Sequence, residues 1–249
     1  MKTEFLSLAF VSFFLFSCAS VKYTDRKALM LISEDEEIKM GENAFSEIIS
    51  KSKVIKNTPQ AEAVRRVGLK LSAASGKNFN WEFVLVEDKQ VNAFCLPGGK
   101  IVFYSGIMPL LENDDEIATV MSHEIAHAVA RHGAERMSQQ TLVNAAGNLA
   151  ALILEGKSQQ TKDAFYSAYG FGAAAGILLP YSRKHEFEAD YIGLILMKKS
   201  GYELNAAVNF WQKMKAMSEK SPKTPNFLST HPSDENRIKN IEKKIAEIR

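Results

Sequence analysis

The sequence predicts an α+β fold, mainly helical, with one small sheet whose edge strand flanks the active-site helix. Three observations lead there. Strand-type patterning is confined to residues 81–104, helical spacing of apolar residues precedes that stretch, and from Asn113 onward the pattern is helical to the end. With 249 residues, 46% hydrophobic and 24% charged, the chain can bury a sizeable core in one or at most two domains. A net charge of +2, with Lys and Arg scattered among Asp and Glu, gives no footprint for nucleic-acid binding.

Residues 1–17 differ in kind from the rest. Lys2 and Glu4 precede an apolar run, residues 5–16, followed by the small residue Ser17, which is the layout of an export signal. The run is shorter than the roughly 20 apolar residues a spanning helix needs. Leu15, Phe16, Ser17 and Cys18 resemble the lipobox of bacterial lipoproteins, which implies lipid on Cys18 and an anchor in a membrane. Ala19 stands where an aspartate would imply retention at the inner membrane, so the resemblance points to the outer one. An ordinary cleaved signal with an incidental cysteine is the alternative. Residues 18–34 then read as a polar tether and residues 35–249 as the folded domain. With Cys18 lipidated, Cys95 is the remaining thiol, so no intramolecular disulfide forms. Its apolar neighbours mark Cys95 as core.

Helical patterns occupy residues 35–49 and 60–74, the second with Ala63, Val67, Leu69 and Leu71 in register. Strand patterns follow at 81–86, 91–96 and 100–104, and Pro97, Gly98 and Gly99 supply the turn that makes the last two a hairpin. Asn113, three residues before Glu116, has capping-box spacing and opens the next helix. Residues 142–154 and 164–179 are rich in Ala, Gly and aliphatic side chains. They read as buried helices, with a helix pair resting on a membrane surface as the alternative.

His123, Glu124 and His127 form an H-E-x-x-H pattern. Residues four apart on a helix share a face, so both imidazoles can address one ion, while Glu124 reaches a water beside it. Zinc suits imidazole and carboxylate ligands and can keep one position open. The surrounding residues are apolar nearly all round the helix, and two histidines and a glutamate are not buried there without partners. A third histidine in the spacing H-x-x-G-x-x-H is ruled out, because the chain has Ala130, His132 and Gly133. His132 is turned off the metal face and reads as a structural histidine or as one that supports a metal ligand from behind. The remaining solution is a glutamate on a second helix. Residues 182–190 supply Glu186 as the ligand, with Asp190 one turn on to accept a hydrogen bond from a ligating imidazole. Glu188 falls on the other side and reads as a salt-bridge residue.

Four blocks, residues 91–100, 123–133, 182–190 and 230–237, together resemble the HtpX and CAAX-prenyl-protease superfamily of gluzincin metallopeptidases, and within it the bacterial periplasmic lipoproteins of the LoiP and BepA type. The resemblance implies a zincin-type fold and a zinc-dependent endopeptidase with one Zn2+ per chain. The metal would lie on His123, His127 and Glu186, with Glu124 as general base. It implies that an extended substrate lies along Val91, Asn92, Ala93 and Phe94 as an added strand. It also places His231 at the active site, either stabilising the oxyanion or capping the zinc in a latent state, with Arg237 bracing that loop. Unfolded or misassembled proteins of the periplasm or outer membrane would be the substrates, in protein quality control. An outer-membrane assembly or binding factor with a closed, inactive zinc site is the competing reading, and retention of Glu124 argues against it.

Overall fold

The computed structural model describes residues 18–173, 178–220, 225–232 and 235–248; the expected export signal at residues 1–17 lies outside them. The chain divides into two compact units, Met1–Ser33 with His132–His185, and Glu34–Arg131 with Glu186–Arg249. The fold is mainly helical with small sheets, an α+β arrangement.

The second unit holds the mixed sheet. After helix α1 (Glu34–Lys51) come β3 (Val54–Ile55), α2 (Pro59–Ser75), β4 (Glu82–Val86), β5 (Ala93–Leu96) and β6 (Lys100–Tyr104). The sheet order is β3-β4-β6-β5, with β4 and β6 parallel and the other pairs antiparallel. That order makes β5 an edge strand. The turn into β6 requires glycine: Gly98 and Gly99 have φ of 76° and 82°. The hairpin also packs on α1 through Gly41, where a Cβ would lie 2.1 Å from the Pro97 carbonyl oxygen. Thr58 caps α2 by accepting a hydrogen bond from the Ala61 N–H at 3.2 Å, Pro59 opens the helix, and Gly76 closes it in the left-handed region.

A 3-10 turn (Ser105–Leu110) leads to α3 (Asp114–Ala130), which starts where the capping residues place it. The Asn113 side chain accepts from the Glu116 N–H at 3.0 Å, and acidic residues fill the first turn. From Glu116 to Ala130 every residue of α3 is buried. Helices α6 (Leu179–Lys199), α7 (Asn205–Lys220), α8 (Asn226–Thr230) and α9 (Glu235–Ile248) complete the chain. The apolar stripe of α7 buries Ala207, Phe210, Trp211 and Met214, and α9 buries Arg237, Ile238, Ile241 and Ile245.

The first unit contains β1 (Cys18–Ser20) paired antiparallel with β2 (Lys27–Leu29), followed after Arg131 by α4 (His132–Ile153) and α5 (Gln159–Ala173). The stretch read as a polar tether is therefore partly a two-stranded ribbon. Arg26 makes two hydrogen bonds to Glu135, at 2.8 and 2.7 Å, and the Leu31 N–H donates to Ser138 Oγ at 2.9 Å. Such contacts give the ribbon partners that a free linker lacks. His132 stacks on His185 at 4.3 Å between ring centres, the structural place expected for it. The expectation of a buried helix at residues 142–154 is corrected, while that for residues 164–179 lies partly outside the described residues. The buried residues of α4 end at Gln139, and Leu149, Leu152 and Ile153 are open to solvent.

Candidate metal centre

Two helices and the segment just after a third converge on the site. Helix α3 contributes His123, Glu124 and His127, helix α6 contributes Glu186 and Asp190, and His231 follows α8. All are buried. His123 Nε2 lies 3.1 Å from His127 Nε2 and 3.2 Å from Glu186 Oε2, and His127 Nε2 lies 3.4 Å from Glu186 Oε1. His231 Nδ1 joins them, 3.1 Å from His123 Nε2 and 3.0 Å from Glu186 Oε2. The four donor atoms all lie within 4.8 Å of one another.

These separations test whether zinc fits. Four ligands at about 2.0–2.1 Å from a tetrahedral ion stand about 3.3–3.4 Å apart, close to the spacing seen here. The tautomer agrees. His123 Nδ1 lies 3.0 Å from Asp190 Oδ1, so the proton on Nδ1 points at the carboxylate and the Nε2 lone pair faces the cluster. Lone pairs and a carboxylate crowded at such distances would be compensated by a cation held among them. Burial works to lower the His123 imidazole, but Asp190 and Glu186 outweigh it and push it up to about 9. Groups that draw a proton so strongly draw a divalent cation for the same reason. The Glu186 carboxyl, raised by burial alone, is held well below the usual range by His231, His127 and His123.

Glu124 stands apart from the donors. Its Oε1 is buried with no hydrogen-bond partner among the described residues, 3.4 Å from His231 Nε2. Burial pushes its carboxyl up, against the pull of His231 and His123 and a hydrogen bond from the Cys95 backbone N–H. A buried carboxylate oxygen without a partner suits a group reserved for a proton delivered by solvent.

Asp190 is itself gripped. Arg237 donates from Nε and Nη2 to its two oxygens, both at 2.8 Å, donates to the Pro232 carbonyl at 2.9 Å, and reaches Glu186 Oε2 at 3.2 Å. Thus Arg237 ties the His231 loop to the helix carrying Glu186. Its guanidinium lies 3.6 Å over the Trp211 ring, and Trp211 stacks on Phe227, whose ring lies against His231. Sequence reasoning did not single out Trp211 or Phe227. The buried i, i+4 stripe of α7 was the available signal for the first, and nothing local marked the second.

The edge-strand residues separate by pairing. Tyr104 N–H donates to the Asn92 carbonyl at 3.0 Å, so Asn92, Phe94 and Leu96 turn their backbone groups toward β6. Ala93 and Cys95 turn theirs outward. The Val91 carbonyl is taken by the Phe227 N–H at 3.0 Å. Cys95 is half-buried, and Glu188 is buried on α6 without joining the donor cluster.

An H-E-x-x-H helix facing a glutamate on a second helix, with a carboxylate behind the first histidine, defines a zinc metallopeptidase. The chain belongs to peptidase family M48, whose pattern covers residues 58–245. It is 37% identical over 231 residues to the mitochondrial metalloendopeptidase OMA1 of Schizosaccharomyces pombe, covering 91% of this chain and 66% of that protein. It is 31% identical over 211 residues to the beta-barrel assembly-enhancing protease of Yersinia pestis, covering 83% and 43%. It is 27% identical over 222 residues to the protein of that name in Escherichia coli, covering 88% and 45%. The chain thus spans two thirds or less of the length of these relatives.

Proposed function

We propose that this chain is a zinc-dependent endopeptidase that cleaves unfolded or misassembled proteins on the periplasmic side of a bacterial membrane. His123, His127 and Glu186 hold the ion, Asp190 orients His123, Arg237 braces Asp190 and the His231 loop, and Glu124 is the general base. The observation that carries the reading is the convergence of those three ligand atoms at tetrahedral spacing beside a buried, partnerless carboxylate oxygen. When bound, zinc polarises the scissile carbonyl and makes water a stronger acid. Glu124 accepts the proton from the attacking water and delivers it to the leaving nitrogen. The outward backbone groups of Ala93 receive the substrate as an added strand, a mode that reads little side-chain identity.

His231 in this reading is a resting cap. Its Nδ1 stands at a fourth position of the cluster, where the attacking water would otherwise act. That same observation favours the second reading, an assembly factor with a permanently closed site. The location rests on the lipobox-like residues ending at Cys18 and on relatives named for β-barrel assembly. Casein digestion by the full chain, with and without chelator, tests the activity. Glu124→Gln should abolish cleavage and keep the metal, whereas Glu186→Gln should lose both. Cleavage surviving Glu124→Gln, or full zinc occupancy in Glu186→Gln, would sink the assignment.

A further inference from the structure

We propose that the hairpin of α4 and α5 is a bilayer-contacting surface whose apolar tip, Leu149, Leu152 and Ile153, seats among phospholipid acyl chains. This goes beyond the catalytic reading and does not depend on it.

Residues 141–154 carry no charged side chain through four helical turns, although most of them are exposed. A helix face turned to water ordinarily carries charge. Leu149, Leu152 and Ile153 are 61%, 69% and 71% exposed, and Tyr166 of α5 is 42% exposed. Among the described residues these are four of the seven large apolar side chains left most open, so the exposure is concentrated here instead of scattered. The hairpin is closed by other residues. Gly147 faces the Tyr169 ring, where a Cβ would be in close contact at 3.3 Å, and the Tyr169 hydroxyl donates to the Val143 carbonyl at 2.5 Å. Phe165 stacks on Tyr169 at 5.7 Å. The tip residues lie beyond these contacts along α4 and stay open to solvent.

The position of Cys18, to which the apolar run leads in sequence, says what covers them. In the ribbon of the same unit Cys18 pairs with Leu29, and Leu29 lines a groove with Leu142, Ala146 and Tyr169. From Leu142 to Leu149, and from Ala146 to Ile153, is two turns, about 10 Å of helix. Cys18, which the apolar run at residues 5–16 precedes in sequence, is therefore paired to the strand that lines this groove of α4, about two helical turns before the exposed tip. A segment of that composition leads to lipid, retained or replaced by acyl chains on Cys18. Among the described residues no helix is long and apolar enough to cross a membrane, so the hairpin lies in the interface and does not span. Around the tip Glu155 and Asp163 balance Lys157 and Lys162, so the contact is apolar and does not select anionic lipid.

The test uses the full chain reconstituted in phosphatidylcholine vesicles, in a Cys95→Ser background. An environment-sensitive dye is placed on Leu152→Cys or Ile153→Cys, with Leu69→Cys of α2, 47% exposed, as the control. The parent without an added cysteine supplies the background. All three sites are solvent-facing, so the substitutions leave the core untouched. We expect blue-shifted emission and at least twofold quenching by phospholipids spin-labelled in their acyl chains at 152 and 153, and neither at 69. Emission at 152 and 153 that matches the control would overturn the proposal. So would a blue shift that needs no vesicles and grows with protein concentration, since a second copy would then be covering the tip.

Discussion

Asp190→Asn separates metal positioning from stability. Asp190 Oδ1 faces both His123 Nδ1, at 3.0 Å, and Arg237 Nη2, at 2.8 Å, while Oδ2 accepts from Arg237 Nε at 2.8 Å. An asparagine offers one acceptor oxygen, so its NH2 group must oppose a donor of either His123 or Arg237. Removing one partner of a buried pair destabilises by about 3–5 kcal/mol. Glu186 stays 3.2 Å from Arg237 and keeps part of its charge compensated, which favours the lower end. A loss of about 3 kcal/mol lowers the melting temperature of a chain this size by roughly 6–12 °C. Zinc affinity, followed by competition with a chelating dye, should fall about 10- to 100-fold because the orientation of His123 is no longer enforced. The pair Asp190→Leu with Arg237→Met removes both charges and should recover much of the stability, since apolar replacements of a buried ion pair are often neutral or better. It should not recover the zinc affinity. Wild-type affinity in Asp190→Asn, or full affinity in the double variant, refutes the role given to Asp190.

His231→Ala should raise basal peptide cleavage if His231 is a cap, and should lower turnover about 100- to 1000-fold if it is an oxyanion donor; an unchanged rate with unchanged zinc affinity excludes both. Burial works to raise the Glu135 carboxyl, but hydrogen bonds from His185 and Arg26 outweigh it and hold it at about 2. A carboxyl depressed in the folded state stabilises fully above its ordinary value near 4.5, and that stability is lost as pH falls toward about 2. The contribution is about 3 kcal/mol at neutral pH, so urea unfolding at pH 7 should show Glu135→Gln weakened by that order. The difference from wild type should shrink below pH 4, and a gap constant from pH 7 to pH 3 would contradict the assignment.

The legible parts of this molecule are those whose partners are close in sequence. His123 and His127 are one helical turn apart, as are Glu186 and Asp190, so each pair could be set on one face before any tertiary contact was known. The cap of α3 was readable from Asn113 and Glu116 for the same reason. The parallel pairing of β4 with β6, the seat of Arg237 on Trp211 and the contact of Phe227 with Val91 join residues with no spacing rule between them. The ribbon at residues 18–29 escaped notice because its polar composition also suits a linker. The aliphatic stretch after Leu142 misled because composition reports how apolar a helix is, not whether the fold covers it.

Under the proposed substrate strand and His231 cap, the hydrogen bond from Phe227 to Val91 would make chain length a variable. If substrate lies along β5 as proposed, a strand that stops at Ala93 leaves the α8 segment in place, and with it His231 at the metal. A longer strand that reaches Val91 competes for the carbonyl that anchors Phe227, and the displaced segment carries His231 four residues further on. Occupancy of the strand and withdrawal of the cap are then one equilibrium, so extended unfolded chains open the site and short peptides leave it shut.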